Sequence, residues 1–144
     1  MGCFARYVGA MRYRTIVAAP LAVALLGASA AAAGPDKIGV AAMEQKKRLI
    51  PLRLTCPLER GSCVGTAAFT ARKRRAGRIY TLQGGPFEYR RFDGGTTKRI
   101  GFKLTRGARE VLADAHGMTA RFVITARYAD GDRSTVRLRS KLSG

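Results

Sequence analysis

Two cysteines seven residues apart, Cys56 and Cys63, are the residues whose type and spacing first imply chemistry. In an oxidising compartment a lone pair of this kind closes into a disulfide, the other reading being two free buried thiols. Zinc binding is excluded by ligand count, since two thiols and one distant imidazole, His116, do not make four ligands. Asp130 and Asp132 flank Gly131 and offer two carboxylates, well short of a calcium shell. No metal site and no cofactor are expected. Hydrolytic chemistry needs a nucleophile with a base, a carboxylate pair or a metal. The chain has no G-x-S-x-G elbow, and its nine acids are scattered. His116 reads as a helix-end residue, so the expectation is a protein that is not an enzyme.

The other chemistry-bearing residues are bases. All nine acids and 24 of the 27 bases follow residue 33, which gives 24 − 9 = +15 over residues 34–144. Such a surface attracts polyanions: anionic cell-wall polymer, anionic lipid or nucleic acid without sequence preference. Most of the bases are arginine and the chain is rich in alanine and glycine, so codon bias is the competing account. The candidate anion-binding residues are Arg53, the run Arg72, Lys73, Arg74 and Arg75, and the strand residues Arg121, Arg127, Arg137, Arg139 and Lys141. The run 72–75 reads as part of a solvated loop before Gly77. The segment from Tyr89 to Phe92 interleaves aromatic and basic residues, as a stacking platform or an ordinary half-buried strand would.

The first third of the chain says where these residues work. Arg6, Arg12 and Arg14 precede an uncharged run, Ile16 to Leu26, and then small residues through Ala33. Positive, apolar, then small is the order of a cleaved secretory signal peptide, here residues 1–33. The apolar stretch sits at the lower edge of bilayer-spanning length and contains Pro20, which argues against a retained anchor. Met11 serves as well as Met1 for the start of such a leader. Cleavage removes Cys3, leaving Cys56 and Cys63 as a pair and no membrane span in the mature chain. The expected location is secreted or at the cell surface. Residues 34–47 form an N-terminal segment with a possible short strand at Ile38–Met43, and residues 48–144 form the domain.

The elements that must position these residues are strands. Leu49 to Cys56 places Ile50, Leu52, Leu54 and Cys56 on one parity, the two-residue period of a half-buried strand. Pro57 to Ser62 reads as a turn and Cys63 to Phe69 as the return strand, so a hairpin places the cysteines opposite each other. Further strands are predicted at Arg78–Gln83, Phe87–Phe92 after a Gly84-Gly85-Pro86 turn, and Lys98–Leu104. Met118–Tyr128 and Arg133–Leu142 follow, joined by an Asp-Gly turn. Between them, Ala108, Val111, Leu112 and Ala115 recur at helical spacing from a Thr105 cap to Gly117. About seven strands and one short helix between the fifth and sixth define an all-β, immunoglobulin-like sandwich.

The motif Leu52-x-Leu54-x-Cys56-Pro57, followed by Cys63-x-Gly65, resembles the opening of small immunoglobulin-like or fibronectin-type-III-like modules in secreted actinobacterial proteins. The run Lys98 to Asp132 resembles the same modules: strand, Leu-Thr-x-x-Gly/Ala helix, long strand, acidic turn. The resemblance covers Leu49 to Leu142. It implies a spacer or interaction module and carries over no catalytic residue. The chain departs from antibody-type domains in lacking a core tryptophan and a sequence-distant disulfide. Two binding classes follow. One is a cell-surface or extracellular module with affinity for anionic polymers. The other is a small secreted inhibitor or protein-partner module that presents the Cys56–Cys63 loop to another extracellular protein, with loss of inhibition on Arg60→Ala as its test.

Overall fold

The structure, a computed structural model, describes residues 36–144 and the backbone of Ala30–Ala31. The signal-peptide reading of residues 1–33 otherwise lies outside the described residues. Seven strands and one helix follow in order: β1 (Gly39–Ala42), β2 (Leu49–Thr55), β3 (Ser62–Arg75), β4 (Arg78–Asp93), β5 (Thr97–Lys103), α1 (Arg106–Asp114), β6 (Met118–Tyr128) and β7 (Arg133–Leu142). They form two antiparallel sheets, β1-β2-β5 and β4-β3-β6-β7, and Ala30–Ala31 pairs outside β1. The protein is an all-β sandwich, with its helix between the fifth and sixth strands.

Alternation builds the core. Ile50, Leu52 and Leu54 on β2 face Phe69 and Ala71 on β3, together with Ala120, Phe122, Ile124 and Ala126 on β6. Four phenylalanines knit the layers. Phe69 and Phe122 are direct register partners in the four-stranded sheet, and Phe102 of β5 meets both from the other sheet at centroid distances of 4.9 and 5.9 Å. Phe87 of β4 packs edge-on to Phe102 at 4.8 Å. Such aromatic contacts add stabilisation beyond their buried area.

Two segments differ from the sequence expectation. Leu49 to Phe69 is not a hairpin: β2 pairs with β1 and β5, and β3 with β4 and β6. The segment 56–62 is an arch that carries the chain from one sheet to the other, with a short 3-10 turn at Leu58–Arg60. The disulfide forms, with Cα atoms 5.8 Å apart, but it ties one sheet to the other rather than two neighbouring strands. Likewise Gly84-Gly85-Pro86 is not a turn but an irregularity inside the 16-residue β4. Phe87 pairs with Ala67 and Gly84 with Phe69, so the extra residues oppose Ala68. Gly84 is required there because a Cβ would lie 2.3 Å from the Phe69 ring, and Gly85 takes φ +78°. The seven-strand count agrees because two differences offset. The short strand expected within Ile38–Met43 but left out of the seven is present at Gly39–Ala42 and adds one, and the merger of 78–83 with 87–92 removes one.

The helix begins as expected, with Thr105 Oγ1 accepting from the Ala108 amide. Its end is shifted by one residue. His116 (φ +51°) takes the C′ position and Gly117, also left-handed at φ +75°, follows it, and the amides of His116 and Gly117 donate to Ala113 O and Leu112 O, the two bonds of a Schellman cap.

Candidate functional site: a basic sheet face

The outer face of β4-β3-β6-β7 is where the bases gather. Paired residues in a ladder share a face, so the register gives the layout directly. One rung holds Thr70, Arg121 and Arg139; the next Ala68, Val123 and Arg137; the next Thr66, Thr125 and Thr135; the last Val64, Arg127 and Arg133. Beyond the first rung, Thr119 pairs with Lys141, and Arg72 and Arg74 continue the parity of Thr70 along β3. The basic residues of this face are exposed, while Val64, Thr66, Ala68 and Thr125 are half-buried.

This face holds two facing pairs of arginines, where the other sheet holds one, Arg53 with Arg99. Arg121 lies directly opposite Arg139, and Arg127 directly opposite Arg133. Like charges in facing positions destabilise an antiparallel pair. None of these four arginines makes an ion pair among the described residues, where the pairs are Arg60 with Asp130 and Asp132, and Arg106 with Glu110; the face also carries an acid, exposed Glu88 of β4, opposite Thr66. At the turn end of the face, Arg127 and Arg91 also line a shallow pocket of about 250 Å³ with Ser62 and Tyr128.

Of the ten basic candidates, seven fall on this face: Arg72, Arg74, Arg121, Arg127, Arg137, Arg139 and Lys141. Arg72 and Arg74 do so because the run 72–75 is strand, not loop; the turn is Ala76–Gly77, both at positive φ. Lys73 and Arg75 have the opposite parity and serve the helix. Lys73 Nζ donates to the carbonyls of His116 and Gly117 at 3.1 and 2.8 Å, and Arg75 Nη1 to that of Asp114 at 2.7 Å. Cations at these carbonyls complement the negative end of the helix dipole. Arg53 is on the other sheet, opposite Arg99. Sequence reasoning missed Arg133, although its parity with Arg137 and Arg139 was the available signal. Tyr89 is not a stacking platform. It is buried and its hydroxyl donates to Thr125 O at 2.7 Å, and burial raises its pKa well above the usual phenol value.

The disulfide-closed arch has its own geometry. Arg60 does not project from it. Its Nη1 donates to Asp130 Oδ2 and Asp132 Oδ2 at 2.8 and 2.9 Å, and its guanidinium lies over the Tyr128 ring at 4.9 Å. Leu58 is the residue presented outward, at 77 % exposure. The hydrogen bond from Arg60 holds the Asp130 carboxyl below the usual aspartate range. A depressed folded pKa contributes stability that is present above the unfolded value and lost as pH falls through the folded one. Arg60→Gln is therefore expected to raise the Asp130 titration midpoint toward the ordinary aspartate value. The stability gap between wild type and variant closes with acidification. A carboxyl-detected NMR titration reads the midpoint, and an unchanged value refutes the role given to Arg60.

A second cavity, of about 260 Å³, opens between β4, β5 and the start of α1 and is lined mainly by Phe69, Leu82, Phe87, Phe102 and Leu104. No helix among the described residues is long and apolar enough to cross a membrane. By fold the chain is a disulfide-bonded, two-sheet β-sandwich whose four-stranded sheet carries a basic outer face. Comparisons with protein-family models and with curated proteins find no match.

Proposed function

We propose that this protein is an exported, non-enzymatic β-sandwich module that binds anionic polymers at or outside the cell surface through the outer face of β4-β3-β6-β7. The observation that carries the reading is the concentration of bases on one face: two facing arginine pairs, Arg121 with Arg139 and Arg127 with Arg133, together with Arg137 and Lys141, none of them in an ion pair among the described residues, whereas the other sheet holds the single facing pair Arg53 and Arg99. A sheet that holds like charges in register is under repulsion that a bound polyanion relieves. Codon bias explains many arginines but gives no reason for seven of the ten candidates to share one face. The fully buried disulfide supports an oxidising location, in keeping with the leader-like residues 1–33. The strand order supports the immunoglobulin-like resemblance. The first, second and fifth strands share one sheet and the third, sixth and seventh the other, as in constant-type domains, with the fourth strand moved beside the third.

The test is retention on an immobilised anionic cell-wall polymer across a salt series, with a cation exchanger as the charge-only control. Arg121→Gln/Arg139→Gln is expected to elute from the polymer at clearly lower salt than wild type. Arg53→Gln/Arg99→Gln removes the same charge from the opposite sheet and is expected to elute close to wild type. Equal shifts for the two variants assign the binding to net charge and refute the site.

A second reading is a module that offers the Cys56–Cys63 arch to a partner protein. The exposure of Leu58 favours it, and the inward anchoring of Arg60 makes Leu58 the residue such a partner meets.

A further inference from the structure

Resting on the anion-binding reading, we infer that the ligand is a single extended phosphodiester chain with hydroxyl-bearing spacers, laid along β6 and β7 and held at two arginine clamps. Most of the charges on this face form a stripe. Six bases stand on two adjacent strands: Arg121 and Arg127 on β6, and Arg133, Arg137, Arg139 and Lys141 on β7. Beside the clamps the neighbouring column on β3 is Val64, Thr66, Ala68 and Thr70, all short and uncharged, and bases return only past the clamps, at Arg72 and Arg74. From Arg133 to Lys141 the stripe runs about 27 Å at the usual rise per residue. Its width is that of two strands, about 5 Å centre to centre. Those dimensions suit one polymer chain running with the strands.

The chemistry of the clamps selects the charged group. Facing residues in an antiparallel ladder have Cα atoms about 4.5–5.5 Å apart, so each clamp presents two guanidinium forks side by side from two strands. The two free oxygens of a phosphodiester diverge tetrahedrally, and each can accept from its own fork. A carboxylate's oxygens are coplanar and pair bidentately with one planar fork, so a second fork from the neighbouring strand reaches them only at their outer lone pairs. Five of the six bases are arginine, the residue whose planar fork makes that distinction. The clamps are separated by six residues on β6, about 20 Å, and between them lies the rung Thr66–Thr125–Thr135. Thr125 Oγ1 is bonded to Thr66 Oγ1 at 2.7 Å, while Thr135 is exposed and offers its hydroxyl to a spacer.

The same face gives nucleobases no platform. The aromatic residues of β3, β6 and β7, namely Phe69, Phe122 and Tyr128, are all buried. A single-stranded nucleic acid therefore gains phosphate contacts but no stacking.

The experiment titrates the purified, oxidised protein with poly(glycerol phosphate) fragments of graded length, with polyglutamate and oligo-thymidylate of equal charge, and with phosphatidylglycerol vesicles. Affinity for poly(glycerol phosphate) is expected to rise with length until the stripe is spanned and then level off. Its log–log salt slope should be about −4, near 0.7 for each of six contacts. Polyglutamate is expected to bind at least tenfold more weakly at about 0.15 M salt, and oligo-thymidylate no more tightly than the polyol phosphate. Arg133→Gln/Arg139→Gln, one residue from each clamp, should flatten the slope by about 1.4 units and weaken binding about tenfold or more. Arg53→Gln/Arg99→Gln should leave both near wild type. Polyglutamate binding as tightly as the phosphodiester overturns this inference and leaves the anion-binding reading standing. So does a clear preference for vesicles, which assigns the face to a lipid surface. Oligo-thymidylate binding more tightly also overturns it, because the bases then contribute. Failure to bind any of the four above the level of the cation-exchanger control overturns the anion-binding reading itself.

Discussion

Phe122→Ala is expected to lower the stability of the fold by about 3–5 kcal/mol, the usual cost of emptying a phenylalanine site in a well-packed core. Phe122 is fully buried on β6, a central strand of the four-stranded sheet, and its ring meets Phe69 at 5.6 Å and Phe102 at 5.9 Å. Phe102 comes from the opposite sheet, so the cavity opens between the layers and removes contacts on both. Relaxation is limited, because Phe69 also packs over the backbone of Gly84 and cannot move into the gap without leaving it. For a small domain with about 5–15 kcal/mol in total, this is about a fifth or more of the stability. Denaturant unfolding followed by tyrosine fluorescence reads it as a lowered midpoint. Phe122→Leu, which keeps most of the volume, is expected to cost about 1–2 kcal/mol. A loss below 1 kcal/mol for the alanine variant contradicts the position assigned to this ring.

The strands that were legible in the sequence are those whose two faces differ most in polarity. Along Met118–Tyr128, Ala120, Phe122, Ile124 and Ala126 alternate with Arg121, Val123, Thr125 and Arg127, and only one assignment of faces buries the apolar set. The helix was legible for a similar reason, since Thr105 and the spacing of Ala108, Val111, Leu112 and Ala115 agree. Pairing partners were not legible. A six-residue link, Pro57 to Ser62, closes a hairpin or spans an arch equally well. Both place Cys56 and Cys63 on the apolar parity. The arch follows from the partners that β2 and β3 find elsewhere in the chain. Gly84-Gly85-Pro86 misled for a different reason. Its composition is that of a turn, but the glycines are there to admit the Phe69 ring and a positive φ within a continuing strand. The basic face was half legible. Parity told which arginines share a side of their own strand, while the rungs that set Arg121 against Arg139 depend on a strand order no local pattern contains. Lys73 was misassigned because its parity matters only once the end of α1 is known to lie beneath β3.

Replacing both cysteines, Cys56→Ala/Cys63→Ala, is expected to cost about 2–3 kcal/mol, the loop-entropy value for so short a closed segment. The loss should appear as a lower denaturant midpoint with an unchanged slope, because the arch has other attachments that keep the folded state intact. The Cys56 amide donates to Thr96 O at 3.0 Å, Gly95 N to Cys56 O at 2.8 Å, and Gly94 N to Gly61 O at 2.8 Å. These bonds join this arch to the β4–β5 crossing at the same end of the sandwich. Arg60 adds a third attachment, through Asp130 and Asp132, to the β6–β7 turn. The disulfide and Arg60 thus restrain one short loop from its two sides. Removing either leaves the other to hold the arch. Removing both leaves it only its backbone hydrogen bonds, so the triple variant with Arg60→Gln is expected to lose more than the sum of its parts, with a coupling of about 0.5 kcal/mol or more. Strict additivity means that the two restraints act on separate segments, and the arch is then not the single unit that joins the sheets.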